Sequence, residues 1–117
     1  MLKILCTAAV GFALPLVGLA NDHPAQAALL GMSELERKAA FSRVLVTSDQ
    51  ACGGGVQTLI DAKRFDLNNN AYWYLRCAGG EQYEVYIRPD ATGSTHITRC
   101  SVLAQYGLSC PAALSDD

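Results

Sequence analysis

The sequence predicts an α+β domain: an N-terminal helix packed on a four-stranded antiparallel sheet and stapled by disulfides. Three observations predict it. One stretch with helical periodicity, residues 30–48, opens on a capping signature. Four segments of alternating polarity follow, each bounded by Gly, Pro, Asn or Asp. Four cysteines, Cys52, Cys77, Cys100 and Cys110, are spread along and around those segments. A helix followed by a run of strands is the order expected of an α+β fold.

The helix is expected from about Glu34 to Val46. Ser33 followed by Glu36 is a capping box, in which the serine accepts from a first-turn amide and the glutamate reaches back. Glu34 and Glu36 also suit the positive end of the helix dipole. Leu35, Ala39, Phe41, Val44 and Leu45 recur roughly on one side and form the expected core stripe. "CGGGV" at 52–56 then reads as a reversal from helix to strand, because it fits neither G-x-G-x-x-G nor a P-loop.

The strands are expected at Val56–Lys63, Ala71–Cys77, Glu81–Arg88 and Ser94–Cys100, separated by "DLNNN", "AGG" and "PDATG". "SVLAQYG" suits a short helical turn ending at Gly107, and "LSDD" suits a frayed tail. Register follows from keeping apolar residues on one face. A two-residue Gly79-Gly80 loop would set Leu75 opposite Glu84. A three-residue loop pairs Cys77 with Glu81, Leu75 with Tyr83 and Trp73 with Val85, and puts Gly80 at the left-handed position. Across "PDATG" the same logic pairs Ile87 with Thr95 and Val85 with Ile97. The helix-covered face then carries Trp73, Leu75, Tyr83, Val85, Ile87 and Ile97, joined on the first strand by Val56, Thr58, Ile60 and Ala62. The opposite face carries Tyr72, Tyr86 and His96 in one row and Tyr74, Glu84 and Thr98 in the next. Arg76 and Gln82 lie beyond.

The N-terminus, "MLKILCTAAVGFALPLVGLANDHPAQAALLG", has the grammar of a secretory signal peptide. Lys3 is the basic start, Ile4 to Ala20 an apolar run, and two small-x-small sites follow at Gly18-Leu19-Ala20 and Ala25-Gln26-Ala27. An uncleaved membrane anchor is the alternative, and would give the only membrane attachment; Pro15 and the small residues favour cleavage. The expected division is residues 1–27 as signal peptide and 28–117 as one small domain, with Asn21 as the second choice of mature start. Removing Lys3 and Asp22 takes one from nine Lys/Arg and one from eleven Asp/Glu, so the net charge stays at −2. No basic patch results, which argues against a nucleic-acid partner. The localisation this implies is periplasmic or secreted.

Cleavage also removes Cys6, turning five cysteines into four. An even count in a short exported domain reads as a disulfide framework. No C-x-x-C occurs and the spacings do not match common zinc sites, so no metal is expected. Cys77 and Cys100 lie on strands separated by a third and point to opposite faces. Their Cα atoms would be ~10 Å apart, beyond the ~4.4–6.8 Å a disulfide spans. Cys52 has the parity of the core face and leads into the strand that runs back beside Cys77, and the nine residues between Cys100 and Cys110 can fold back. Of the three possible connectivities, Cys52–Cys77 with Cys100–Cys110 is therefore the expected one.

No catalytic motif is present: no G-x-S-x-G, H-E-x-x-H or C-x-x-C-H. Asn68-Asn69-Asn70 is a turn and not a glycosylation sequon. The chemistry-bearing residues gather on the tyrosine face, where Tyr72, Tyr74, Glu84, Tyr86 and His96 are the candidate binding residues. Tyrosine suits interfaces because it is amphipathic and loses little entropy on ordering; it is also a good strand former.

The segment "WYLRCAGGEQYEVYIRPDATGSTHITRC" resembles small exported bacterial cysteine-containing proteins of uncharacterised function. The shared pattern is W-x-x-x-C, a glycine turn, Y-x-V-x-I, D-x-x-G-S-T and a further cysteine. The resemblance covers residues 52–110 and implies a compartment but no activity. The helix-then-sheet order is also similar to cystatin and PepSY-type layouts, although the cystatin Q-x-V-x-G loop is absent, Gln57 being followed by "TLID". The expectation is an exported cell-envelope binding or accessory protein without catalytic activity or cofactor, with an unidentified protein or small molecule as partner. The alternative is a small periplasmic enzyme or redox protein using His96 and Glu84 or a free cysteine.

Overall fold

The computed structural model describes residues 23–115. Two helices, four strands and two short helices follow one another in the chain. Helix α1 (Pro24–Leu30) is additional to the expected elements. Pro24 occupies its first turn, where no N–H is needed, and the His23 ring accepts from the Gln26 amide as its cap. Helix α2 (Glu34–Thr47) starts as the sequence predicts, with the Ser33–Glu36 capping box formed in both directions. Its buried side is Ala40, Phe41, Val44 and Leu45. Leu35, expected in that stripe, is 80% exposed, and Ala39 is exposed too.

Strands β1 (Val56–Phe65), β2 (Ala71–Cys77), β3 (Gln82–Ile87) and β4 (Thr95–Arg99) form one antiparallel sheet in the order β1-β2-β3-β4. The β2–β3 turn is the three-residue one: the Cys77 amide donates to the Glu81 carbonyl at 2.8 Å. Gly80 takes φ +101° there, a conformation that side chains oppose. Leu75 pairs with Tyr83, Trp73 with Val85 and Tyr72 with Tyr86. Val85 pairs with Ile97 and Tyr86 with His96.

The first strand departs from expectation. Val56 pairs with Cys77 but Thr58 with Arg76, so an extra residue at Gln57 makes a β-bulge. One inserted residue exchanges the two faces for the rest of the strand. Leu59 therefore lies opposite Leu75 and packs on the core, while Thr58 and Ile60 lie opposite Arg76 and Tyr74. The placement of Thr58 and Ile60 beneath the helix is overturned. Ala62 falls in a second irregularity, between Asp61 and Phe65.

Both long helices cover the same face. Phe41 of α2 meets Trp73 with ring centroids 5.3 Å apart, and the Val56 amide donates to Ser42 Oγ at 3.0 Å, tying α2 to the start of β1. Tyr83 donates to the Ala51 carbonyl at 2.6 Å. From α1, Ala25 and Leu29 are fully buried in the same cluster. The packed domain thus includes residues before Ala28. The upstream site Gly18-Leu19-Ala20 and Cys6 lie outside the described residues.

Cys52–Cys77 and Cys100–Cys110 are both disulfides, with Cα atoms 5.2 and 5.8 Å apart. The three glycines after Cys52 make the expected reversal between α2 and β1 and lie against the hairpin turn. Gly53 and Gly55 carbonyls accept from the Gly79 and Ala78 amides at 2.8 and 2.9 Å. A Cβ on Gly54 would meet that of Ala78 at 2.7 Å, so glycine allows the loop to lie against the hairpin turn. Helix α3 (Cys100–Gln105) follows β4, and the last element, α4 (Ala112–Ser115), returns to the sheet. Leu114 is fully buried and its carbonyl accepts from Arg76 Nε at 2.9 Å. The tail expected to fray is therefore docked at Leu114 and Ser115; Asp116 and Asp117 lie outside the described residues. No helix among the described residues is long and apolar enough to cross a membrane.

Candidate functional site

The face away from α1 and α2 carries a ladder of stacked groups across four strands. Arg64 on β1 lies over the Tyr72 ring at 3.8 Å, within cation–π range. Tyr72 on β2 meets Tyr86 on β3 at 5.3 Å, and Tyr86 meets His96 on β4 at 4.8 Å with planes 11° apart. These separations are close to the ~4.8 Å strand spacing. Tyr86 and His96 therefore stack face to face, whereas Tyr72 is tilted by 44° to Tyr86.

The ladder is closed at its β1–β2 end. Tyr72 donates to Asp66 Oδ2 at 2.8 Å. Asp66 also accepts from the Asn68 and Asn70 amides at 2.9 and 3.0 Å and from Asn70 Nδ2 at 3.1 Å, which fixes the β1–β2 turn. The Asn70 amide first, then the Asn70 side chain, Tyr72 and Asn68, outweigh burial and hold the Asp66 carboxyl down at about 2. Burial, then the hydrogen bond to Asp66 and its charge, pushes Tyr72 up to about 12.

The signs follow from those directions. Asp66 supports the fold above the usual carboxylate range, and that support is lost as pH falls through about 2. Tyr72 contributes stability that is complete below about pH 10 and lost as pH rises through about 12. A tyrosinate absorbance titration should show an ionisation near pH 12 that Tyr72→Phe removes and that Asp66→Asn moves toward lower pH. A curve unchanged by Tyr72→Phe would refute the assignment.

The next row is internal. Tyr74 is 8% exposed, donates to Glu84 Oε2 at 3.0 Å and accepts from Arg64 Nη2 at 3.4 Å. Burial raises its pKa, with Glu84 adding to the rise and Arg64 opposing it. Of the five candidate residues, Tyr74 thus lies on the expected face but beneath its neighbours. Glu84 is engaged with Tyr74, while the His96 ring pairs with Thr98 Oγ1 at 3.4 Å. All four cysteines among the described residues are in disulfides. The Arg76–Gln82 row is capped by the C-terminal segment, Gln82 reaching Ser115 Oγ at 3.2 Å.

The β3–β4 end is open. His96 is exposed and Tyr86 half-buried. Arg88 lies 5.5 Å from the Tyr86 ring centre and is steadied by Ser94 Oγ and the Thr95 carbonyl at 3.5 and 3.4 Å. Beside it runs a shallow groove of about 460 Å³ lined by Asn68, Asn70, Tyr86, Arg88, Pro89 and Asp90. Asp90 is shaped by its own turn: burial opposes ionisation, but hydrogen bonds from Ser94 and Thr92 prevail and lower its pKa. A cation, two amides and a carboxylate thus border one aromatic edge. Sequence reading missed Arg64, Arg88 and the Asn68–Asn70 wall. Alternation alone would have set Arg64 with Ile60 and Ala62 on the covered face; the bulge at Gln57 is what puts it on the tyrosine face.

No family model, curated protein or solved structure matches this chain. The fold and its covalent staples define a small α+β domain with two disulfides, a chemistry suited to an oxidising, non-cytoplasmic environment.

Proposed function

We propose that this is an exported cell-envelope binding or accessory protein without catalytic activity of its own. It engages a protein or small-molecule partner through the open end of the tyrosine face, at Tyr86, His96 and Arg88. The observation that carries this reading is the double position of Tyr86: it is a rung of the ladder and a wall of the polar groove. Export is supported by the leader-like N-terminus and by the disulfides. The enzyme alternative gains nothing from Glu84, which is committed to Tyr74.

Tyr86→Ala tests the reading. Its loss from the cross-strand stack should cost ~0.2–1 kcal/mol of stability and leave a cooperative melt. Binding to partners captured from envelope extract by the wild-type protein should weaken by ~2 kcal/mol, about thirtyfold, if Tyr86 anchors the contact. A variant that melts normally and retains every wild-type partner would move function to the loops at Gly53–Gly55 or Pro89–Gly93. A variant that fails to fold would show the face to be structural.

A further inference from the structure

Helix α1 is held by buried polar bonds as well as by apolar packing. His23 and Gln26 are each 6% exposed. Gln26 Oε1 accepts from the Trp73 indole N–H at 2.8 Å. His23 Nδ1 accepts from the Gln26 amide at 3.1 Å, so the ring hydrogen sits on Nε2, which donates to the Ile87 carbonyl at 2.7 Å. Arg37 of α2 ties down the other end through the Leu29 carbonyl at 3.2 Å. Ala25 and Leu29 are fully buried.

These contacts discriminate between the two small-x-small sites and reverse the order of preference drawn from the sequence, which put the cut after Ala27 first. A cut after Ala27 would remove His23, Ala25 and Gln26. The Trp73 N–H would stay buried without its acceptor, a costly state for a polar group, and α1 would lose both its first turn and its cap. The Ile87 carbonyl would lose its donor at the end of β3, immediately before Arg88 and the groove. A cut after Ala20 keeps every one of these bonds. We infer that the leader is processed between Ala20 and Asn21, and that His23–Leu30 is a structural part of the mature domain supporting the Tyr86–Arg88 site from behind. This inference rests on the export reading above.

The test is intact-mass analysis of the full-length chain expressed in a bacterial host and recovered from periplasm or medium. The expected mass begins at Asn21 and lacks Cys6. A mass beginning at Ala28 would overturn the inference while leaving export intact. A mass retaining Cys6 would overturn the inference and make the leader an uncleaved anchor, whereas recovery of the chain from the cytoplasm alone would overturn the export reading as well. Two variants locate the scissile bond independently. Ala20→Tyr, with a large residue before the cut, should block processing and accumulate precursor. Ala27→Tyr should yield the mature N-terminus at wild-type level. The reverse pattern would assign the cut to Ala27.

Discussion

Replacing Trp73 by alanine is expected to lower the unfolding free energy by ~3–5 kcal/mol, a large share of the ~5–15 kcal/mol that holds a small domain together. Two losses coincide at this site. The indole is 2% exposed and packs on Phe41, so truncation opens a void in the middle of the core. Its N–H is also the partner of the buried Gln26 carbonyl, which would be left unsatisfied. Trp73→Phe separates these effects: it keeps most of the volume and loses the bond, and should cost ~1–3 kcal/mol. Because the chain has one tryptophan, far-ultraviolet circular dichroism in denaturant, rather than fluorescence, is the suitable measurement. A Trp73→Ala variant as stable as Tyr86→Ala would mean that the two sheet faces have been assigned the wrong way round.

Removal of the Cys52–Cys77 bridge, by alanine at both positions, should have the next largest effect. The bridge closes a sequence separation of 25, against 10 for Cys100–Cys110. Chain entropy alone then gives about 3.5 and about 2.7 kcal/mol respectively for these separations of 25 and 10. The difference should widen, because Cys77 is fully buried in the core cluster and Cys52 packs against it. Losing Cys100–Cys110 should instead act locally. It would loosen the segment that brings Leu114 onto Arg76, exposing the Arg76–Gln82 row while the helical core persists. Non-reducing thermal melts of the two double variants, with hydrogen exchange on β2, would separate global from local loss. Equal melting temperatures for both would contradict the ranking.

Much of this molecule was legible because it obeys short-range rules. Ser33 and Glu36 cap α2 through neighbours three residues apart. Gly80 selects the three-residue turn, and that turn sets Leu75 opposite Tyr83 and Trp73 opposite Val85. Register in turn decides which cysteines can meet, so both disulfides follow from alternation and reach. The row Tyr72–Tyr86–His96 was readable for the same reason.

What escaped the sequence depends on partners far along the chain. A bulge at Gln57 is not encoded by a local breaker. It is favoured because it turns Leu59 toward Leu75 and the core, a gain visible only once β2 is in place. Residues 24–30 resemble the polar end of a leader, and partners far along the chain, such as Trp73, 47 residues from Gln26, and Ile87, which His23 reaches, make that stretch a buried helix. Tyr74 alternates like its neighbours, yet Arg64 and Glu84 close over it. Leu114 looks like tail until Arg76 holds its carbonyl. The sequence by itself determined the order of α2, the four strands and α3, the β2–β3–β4 register and the cysteine pairing, because periodicity and turn chemistry are local. The tertiary structure alone decided which end of the tyrosine face is open and that residues 24–30 pack into the core, because burial is a property of residues brought together across the whole fold.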